Sequence, residues 1–368
     1  MKVVIDARES GTSTGRYVDK LIENLHALKP DVDFLILAKS PRLDYFKELA
    51  PNFHTKRCDV REFSFAEQYS LVWKIYGIKN NLVHFTMTQQ PVLYFGKKIT
   101  TVHDLTTAYY RNPAKNRLIF WVKQRVYRWV IRRVAKSSAR IIVPSKYVKR
   151  ELTEFAAIDP EKILVTYEAA EKINNKAEPV KVLQDDKFIM YVGRPLPHKN
   201  LERLIEAYVK VKETNPKLKL ALIGKKDILY QRLEKKIQKQ GIRGVVITDF
   251  VTEGQLRWLY ENAAAYVFPS LSEGFGLPAL EAMAHGTPVV SSNATCLPEI
   301  YGDAAIYFDP TDTDEMANKI ADVLNNEKLA KKLAQTGLKQ AGKYSWQKMA
   351  EQTLDIYKNV AGANSSGK

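Results

Sequence analysis

A chain of 368 residues exceeds the size at which one hydrophobic core keeps growing, so two domains are expected. Its longest dense apolar run, about Leu118 to Val122, falls far short of the roughly 20 residues a spanning helix needs, which excludes an integral membrane helix. Cys58 and Cys296 alone exclude a disulfide framework and fit a reducing cytosol, while a net charge of +16, mostly in the first 172 residues, points to an anionic partner: lipid, nucleic acid or acidic substrate.

Val3 to Ile5 reads as a first strand ending in Asp6-Ala7-Arg8, with a carboxylate too early for a signal peptide. The loop Glu9 to Gly15 leads into Arg16-Tyr17 and a helical pattern through Leu28. Asp33 to Ala38 is a second strand and Asn81 to Phe85 a third, with His84 read as structural. Ile99 to His103 is a fourth, ending in His103-Asp104. The C-terminal end of a parallel strand is where ligands bind in open α/β sheets, so His103 is a candidate functional residue.

From Thr106 to Arg150 there is no acidic residue, against thirteen Lys and Arg. On a helical wheel Ile119, Val122, Val126 and Val130 make a core face. Arg117, Trp121, Arg125, Arg128, Arg132 and Lys136 make a separate stripe at 3.6-residue period. A merely solvated face would mix signs. Cations with an embedded Trp describe a helix lying on an anionic membrane surface, near residues 115–136.

Ile141 to Ser145 is a fifth strand, followed by a helix from Lys146 to Phe155 and a strand from Ile163 to Tyr167. Strands alternating with helices imply a doubly wound parallel sheet. The polar stretch Glu168 to Gln184 is the expected linker. A second α/β run begins with the strand Phe188 to Val192, followed by Gly193-Arg194-Pro-Leu-Pro-His-Lys199-Asn200 and a helix from Leu201. Lys219 to Gly224 and Val245 to Val251 are further strands, the latter ending in Phe250-Val251. Helices are expected from Glu315 to Asn325, Glu327 to Tyr344 and Trp346 to Val360, and Ala361 to Lys368 as a frayed tail.

The most organised stretch is Ala263 to Ser292. Apolar residues stop at Pro269-Ser270, a loop holds Gly274 and Gly276, Pro278 suits a first helical turn, and Gly286 closes the helix before the next strand. At such a strand–turn–helix junction, backbone N–H groups and the positive helix end suit a phosphate. Glu273 and Glu281 frame it.

Glu273 with Gly-Phe-Gly-Leu-Pro-Ala-Leu up to Glu281 resembles the Glu-x7-Glu signature of retaining GT-B glycosyltransferases, family 4 (glycosyl transferases group 1). The resemblance implies an α/β fold of GT-B architecture, two Rossmann-like parallel-sheet domains facing across a cleft. Residues 1–170, completed by the helix at 346–360, would bind the acceptor, and residues 171–345 the nucleotide-sugar donor. By the same resemblance Glu273 holds the donor sugar, Glu281 the ribose, and the backbone of Gly274, Phe275, Gly276 and Leu277 the diphosphate. Gly193-Arg194 and Lys199-Asn200 resemble the family's diphosphate clamp, Phe250 and Val251 its nucleobase wall, His103-Asp104 its His-Asp pair, and Gly15 its N-terminal glycine loop, which here lacks a second close glycine.

The implied reaction is retaining transfer of a hexose from a UDP- or GDP-linked sugar to a lipid-linked or glycan acceptor, at the cytosolic face of the cell membrane, with no cofactor and no metal. Fixed cations at Arg194 and Lys199 would stabilise the charge on the departing diphosphate. Asp31-Val-Asp33 and Asp312-Thr-Asp314 imitate an Asp-x-Asp metal motif, but the first precedes a strand and the second sits where a helix N-cap belongs. A nucleotide-sugar epimerase or phosphorylase on the same framework is the alternative. A nucleic-acid binder would explain the charge alone, yet the basic stripe lacks spaced stacking aromatics.

Overall fold

The protein, seen in a computed structural model, is described over residues 1–362 apart from Ser13, Phe63 and residues 111–116, and only by its backbone at 117–120 and 122. Arg111, Lys115, the side chains of Arg117, Ile119 and Val122, and the tail beyond residue 362 lie outside the described residues. The chain divides into two compact units. The first comprises Met1–Ala108, Trp121–Glu168 and Ser345–Lys368; the second comprises Ala169–Tyr344 with Tyr109–Phe120.

The first unit is built on a seven-stranded sheet in the order β3-β2-β1-β4-β5-β6-β7. The strands are β1 (Lys2–Asp6), β2 (Asp33–Ala38), β3 (His54–Arg57), β4 (Leu82–Phe85), β5 (Lys98–Thr101), β6 (Arg140–Val143) and β7 (Ile163–Val165), and every pairing is parallel. The central strands are apolar on both sides because helices cover both faces. On one face His84 is buried between the Tyr357 hydroxyl at 2.6 Å and Thr101 Oγ1 at 2.8 Å. Tyr357 belongs to the helix Trp346–Gly362, which packs on the helix Arg16–Ala27 and on β4.

The opposite face carries two other elements. Phe85 pairs with Thr100, and Thr100 with Ile141, so these three side chains share that face. Phe85 packs with Leu71, Val72 and Ile75, from a π-helical turn at Glu67–Leu71 that runs into the helix Val72–Tyr76. Ile141 packs with Ile131 and Ala135 of the basic helix Arg117–Ser137.

The basic helix turns out rotated from the expected wheel. Among the described residues its buried ones are Ile131, Val134 and Ala135, whereas Val126, expected in the core, is 54% exposed and Val130 is half-buried. The cation stripe is also partly occupied: the Arg132 guanidinium lies over the Phe155 ring at 4.6 Å and its Nε donates to Phe155 O at 3.0 Å. Arg125 lies over Trp121 at 4.7 Å, and Trp121 and Trp129 are exposed.

The second unit holds a six-stranded parallel sheet in the order β10-β9-β8-β11-β12-β13. Its strands are β8 (Phe188–Val192), β9 (Lys219–Ile223), β10 (Val245–Ile247), β11 (Ala265–Phe268), β12 (Val289–Ser292) and β13 (Ala305–Phe308). β10 stops at Ile247, short of the expected Val251, because Asp249 turns away to accept the Lys226 N–H at 2.9 Å. The expected linker is not free chain either. Glu178 N donates to Gly254 O at 3.0 Å and its carboxylate accepts from Thr252 Oγ1 at 3.1 Å, fastening the segment to the second unit.

Candidate active site

All the parallel strands of the second sheet end on one edge, and the loops there collect most of the residues singled out from the sequence. Lys199 Nζ donates to Glu273 Oε1 at 2.6 Å, with side chains 20% and 12% exposed. Two fastenings hold this pair in place. Leu271 N donates to His198 O at 2.7 Å, and buried Asn200 donates through Nδ2 to Pro269 O at 3.0 Å and Pro310 O at 2.7 Å. Asn200 thereby ties the loop after β8 to the ends of β11 and β13. On the other side of Glu273, its N–H donates to Thr295 Oγ1 at 3.1 Å.

Gly193 follows β8 directly; its N–H donates to Ile223 O and its carbonyl accepts from the Tyr230 hydroxyl at 2.7 Å. Arg194 Nε donates to Asp227 Oδ2 at 2.5 Å. Asp227 also caps the helix Ile228–Lys239, accepting from Leu229 N and Tyr230 N. Burial pushes the Asp227 carboxyl up, but Arg194 and the helix amides outweigh it and hold it below the usual carboxylate range. Arg194 is half exposed, so its guanidinium is fixed at one end and wet at the other. Phe250 is 84% exposed in the loop after β10, with Val251 partly buried beside it.

After Glu273 and Gly274 the chain enters the helix Leu277–Ala284 through Gly276, whose φ is +94°. Phe275 is buried edge-on to Tyr344 at 5.5 Å. The first amides of such a helix have no acceptor within it. Glu281 is buried one turn in, with Oε2 accepting from the Tyr260 hydroxyl at 2.9 Å. The two signature carboxylates thus differ: Glu273 faces a cation and Glu281 a phenol.

Gly15 and His103 belong to the first unit. A Cβ at Gly15 would sit 2.0 Å from Glu9 O, so only glycine lets the Glu9–Gly15 loop close onto the helix Arg16–Ala27. His103 lies just past β5. Its Nδ1 is 3.1 Å from Glu168 Oε1, its Nε2 is 3.1 Å from Thr86 O, and the Tyr17 ring stands edge-on at 4.8 Å. A carboxylate and a carbonyl both accept, so the ring satisfies both only as imidazolium.

Burial pushes the His103 pKa down, but Glu168, the Thr86 carbonyl and Asp104 more than reverse this and leave it above the ordinary 6.5. A histidine raised in the folded state contributes stability in full below its unfolded value. That contribution is lost as pH rises through the folded one. Replacing Glu168 by Gln should lower the pKa of the His103 imidazole and shift the associated loss of stability to lower pH. An NMR titration of the ring that is unmoved by E168Q would refute this pairing.

Glu168, Asn200, Asp227 and Thr295 were not anticipated as partners. Asn200 and Asp227 carried a local signal, as polar residues just ahead of helices; Asp227 acts as the N-cap, whereas Asn200 takes a left-handed φ of 59°. Of the Asp-x-Asp pairs, Asp312 caps the helix Thr313–Asn325, accepting from Asp314 N and Glu315 N at 2.9 Å each, and Asp33 pairs with Lys2 at 3.2 Å.

The family described as Glycosyl transferases group 1 matches residues 172–340, and that described as Glycosyltransferase Family 4 matches residues 14–169. The chain belongs to glycosyltransferase family 4. The transferase is 31% identical over 277 residues to O-antigen chain mannosyltransferase B of Escherichia coli, covering 71% of this chain and 70% of that one. It is 26% identical over 327 residues to O-antigen chain mannosyltransferase RfbU of Salmonella typhimurium, covering 86% and 88%. Among solved structures, Alr3699/HepE of Anabaena in complex with UDP and glucose superposes with a TM-score of 0.74 at 16% identity, over 98% of this chain and 100% of that one. The transferase therefore has the GT-B architecture, and the two parallel sheets described above are its two Rossmann-like sheets.

Proposed function

We propose that this family 4 transferase moves a hexose, with retention of anomeric configuration, from a nucleotide-diphosphate sugar to a lipid-linked or glycan acceptor at the cytosolic membrane face. The observation that carries the reading is the Lys199–Glu273 pair at 2.6 Å on the edge of the second sheet, with Arg194 anchored on the same edge. Lys199, Arg194 and the amides from Gly274 to Leu277 receive the diphosphate. Glu273 holds the sugar hydroxyls, Glu281 the ribose, and Phe250 with Val251 flank the base. Residues 171–345 bind the donor; residues 1–170 with the helix at 346–360 bind the acceptor, and His103 and Gly15 serve the sugar and phosphate from that domain.

No side chain in this set is placed as a nucleophile. The bond from the anomeric carbon to phosphate breaks as the acceptor oxygen bonds on the same face, and the leaving phosphate oxygen takes the acceptor proton. The charge gained by the diphosphate is met by fixed cations and amides, without a metal. The mannosyltransferase names of the relatives favour GDP-mannose, and the UDP complex of the structural neighbour keeps UDP-sugars in contention. No helix among the described residues is long and apolar enough to cross a membrane, so a peripheral site fits, with the basic helix against anionic lipid.

A thermal-shift series over GDP-mannose, UDP-glucose and the free nucleotides tests the donor. Saturation at a hundred times Kd stabilises the fold by about 2.7 kcal/mol. Transfer with a retained anomer, undiminished in a chelator, is the expected outcome. Sugar epimerised or cleaved by phosphate with no acceptor present would overturn it.

A further inference from the structure

The helical run through Glu67–Leu71 and Val72–Tyr76 is strongly two-faced. Glu67, Leu71, Val72 and Ile75 are buried, whereas Phe65, Tyr69, Trp73 and Tyr76 are 90%, 61%, 75% and 51% exposed. Spacings of four, four and three residues put these rings in one row along the helix. Phe95, 71% exposed, prolongs the row, since its N–H donates to the Tyr76 hydroxyl at 3.0 Å. Single exposed aromatics are ordinary, but a continuous row marks a contact surface. The π-helical turn inside it is itself a feature that concentrates at functional sites.

Its charge says what it would contact. From Phe65 to Lys98 the sole carboxylate is Glu67, and that one is buried against Arg8 at 2.9 Å. The charges of the segment that are not buried, Lys74, Lys79 and Lys97, are all positive. The register through Phe85, Thr100 and Ile141 places this run on the same face of the sheet as the basic helix, whose outward side shows Trp121 and Trp129 among Arg and Lys. Two elements on one sheet face therefore both turn aromatics and cations away from it.

We infer that this face of the first unit docks on an anionic lipid bilayer, with the Phe65–Tyr76 row and Phe95 seated at headgroup level beside the basic helix. The inference rests on the membrane reading above and adds an apolar foothold that the cations alone do not supply. Aromatic rings settle at the interface, while lysine and arginine draw the surface toward negative headgroups. A single weak anchor gives only marginal membrane binding, and two signals together make it stable. A second copy of the chain is disfavoured because two such positive faces repel, and a neutral glycan leaves the cations unanswered.

The test uses the full chain with Trp121 and Trp129 changed to Phe, mixed with phosphatidylglycerol vesicles carrying brominated acyl chains. Fluorescence assigned to Trp73 by difference from the further variant W73F should be quenched. Tyr69→Ser with Trp73→Ser in the otherwise natural chain should weaken vesicle partitioning at least ten-fold in high salt, with the nucleotide-induced thermal shift unchanged. Vesicle binding with Trp73 unquenched overturns this inference and leaves the basic helix as the contact. Failure of the natural chain to bind anionic vesicles sinks both readings. Conversion of a dimer to a monomer by the Ser variants, or their loss of soluble oligosaccharide binding, would assign the row to another occupant and overturn it equally.

Discussion

Glu273→Ala should reduce transfer by about a thousand-fold while leaving nucleoside diphosphate binding intact or tighter. The Glu273 carboxylate accepts from Lys199 Nζ at 2.6 Å. Removing it frees the ammonium for a diphosphate, so the product nucleotide gains a cation. If Glu273 holds the sugar as proposed, the sugar loses its hydroxyl acceptor, and a contact felt in the transition state governs kcat more than KM. Loss of one fixed electrostatic contact of this kind costs roughly a hundred- to a thousand-fold. Lys199→Ala should differ: it leaves a largely buried carboxylate unpaired and the diphosphate with one cation fewer, so both nucleotide affinity and kcat fall. Asn200 and Thr295 hold the two loops from outside the pair, so both variants should keep the fold, as circular dichroism can verify. Transfer by E273A within ten-fold of the natural enzyme would remove Glu273 from the site.

What the amino-acid order made readable was whatever depends on neighbours along the chain. Apolar runs ending in Pro or Gly gave the strand ends, and the turn before Pro278 gave the helix Leu277–Ala284. Partners supplied across the fold were not readable. Thr295 is the sharpest case: a β-branched residue at φ +56°, the last type expected in left-handed backbone. Such strain costs on the order of 1–3 kcal/mol and persists where surrounding contacts enforce it, here the bond from Glu273 N. Glu168 looked like linker because its partner His103 lies far away in sequence. β3, spelled His-Thr-Lys-Arg, has no apolar alternation because it is an edge strand with mostly exposed side chains. The basic helix misled differently. A wheel reports which residues share a face, not which face is buried, and arginines lying over Phe155 look no different in sequence from arginines in water.

The Gly276→Ala variant should be the most damaging single-methyl change in the second unit, and Tyr301→Phe should partly rescue it. Two separate costs meet at this position. At φ +94° a Cβ strains the backbone by roughly 1–2 kcal/mol. That Cβ would also lie 2.1 Å from the Tyr301 hydroxyl oxygen and 2.9 Å from Leu297 Cδ2, an overlap of the kind that costs about 1–3 kcal/mol in a packed core. Buried Tyr301 cannot simply withdraw, since its hydroxyl donates to Gly276 O at 2.6 Å. The thermal midpoint should therefore drop by several degrees, at roughly 2–4 °C per kcal/mol for a unit of this size. Donor affinity should drop too, because the displaced turn carries the amides assigned to the diphosphate. Tyr301→Phe alone loses one hydrogen bond, about 1 kcal/mol. In the double variant the overlapping oxygen is gone and the nearest ring carbon, Cζ, stands at 3.1 Å, so the backbone strain, the 2.9 Å approach to Leu297 Cδ2 and the lost bond should remain. The double-mutant cycle should thus give a favourable coupling of about 1 kcal/mol or more. Strict additivity would show that the hydroxyl does not set the shape of the turn.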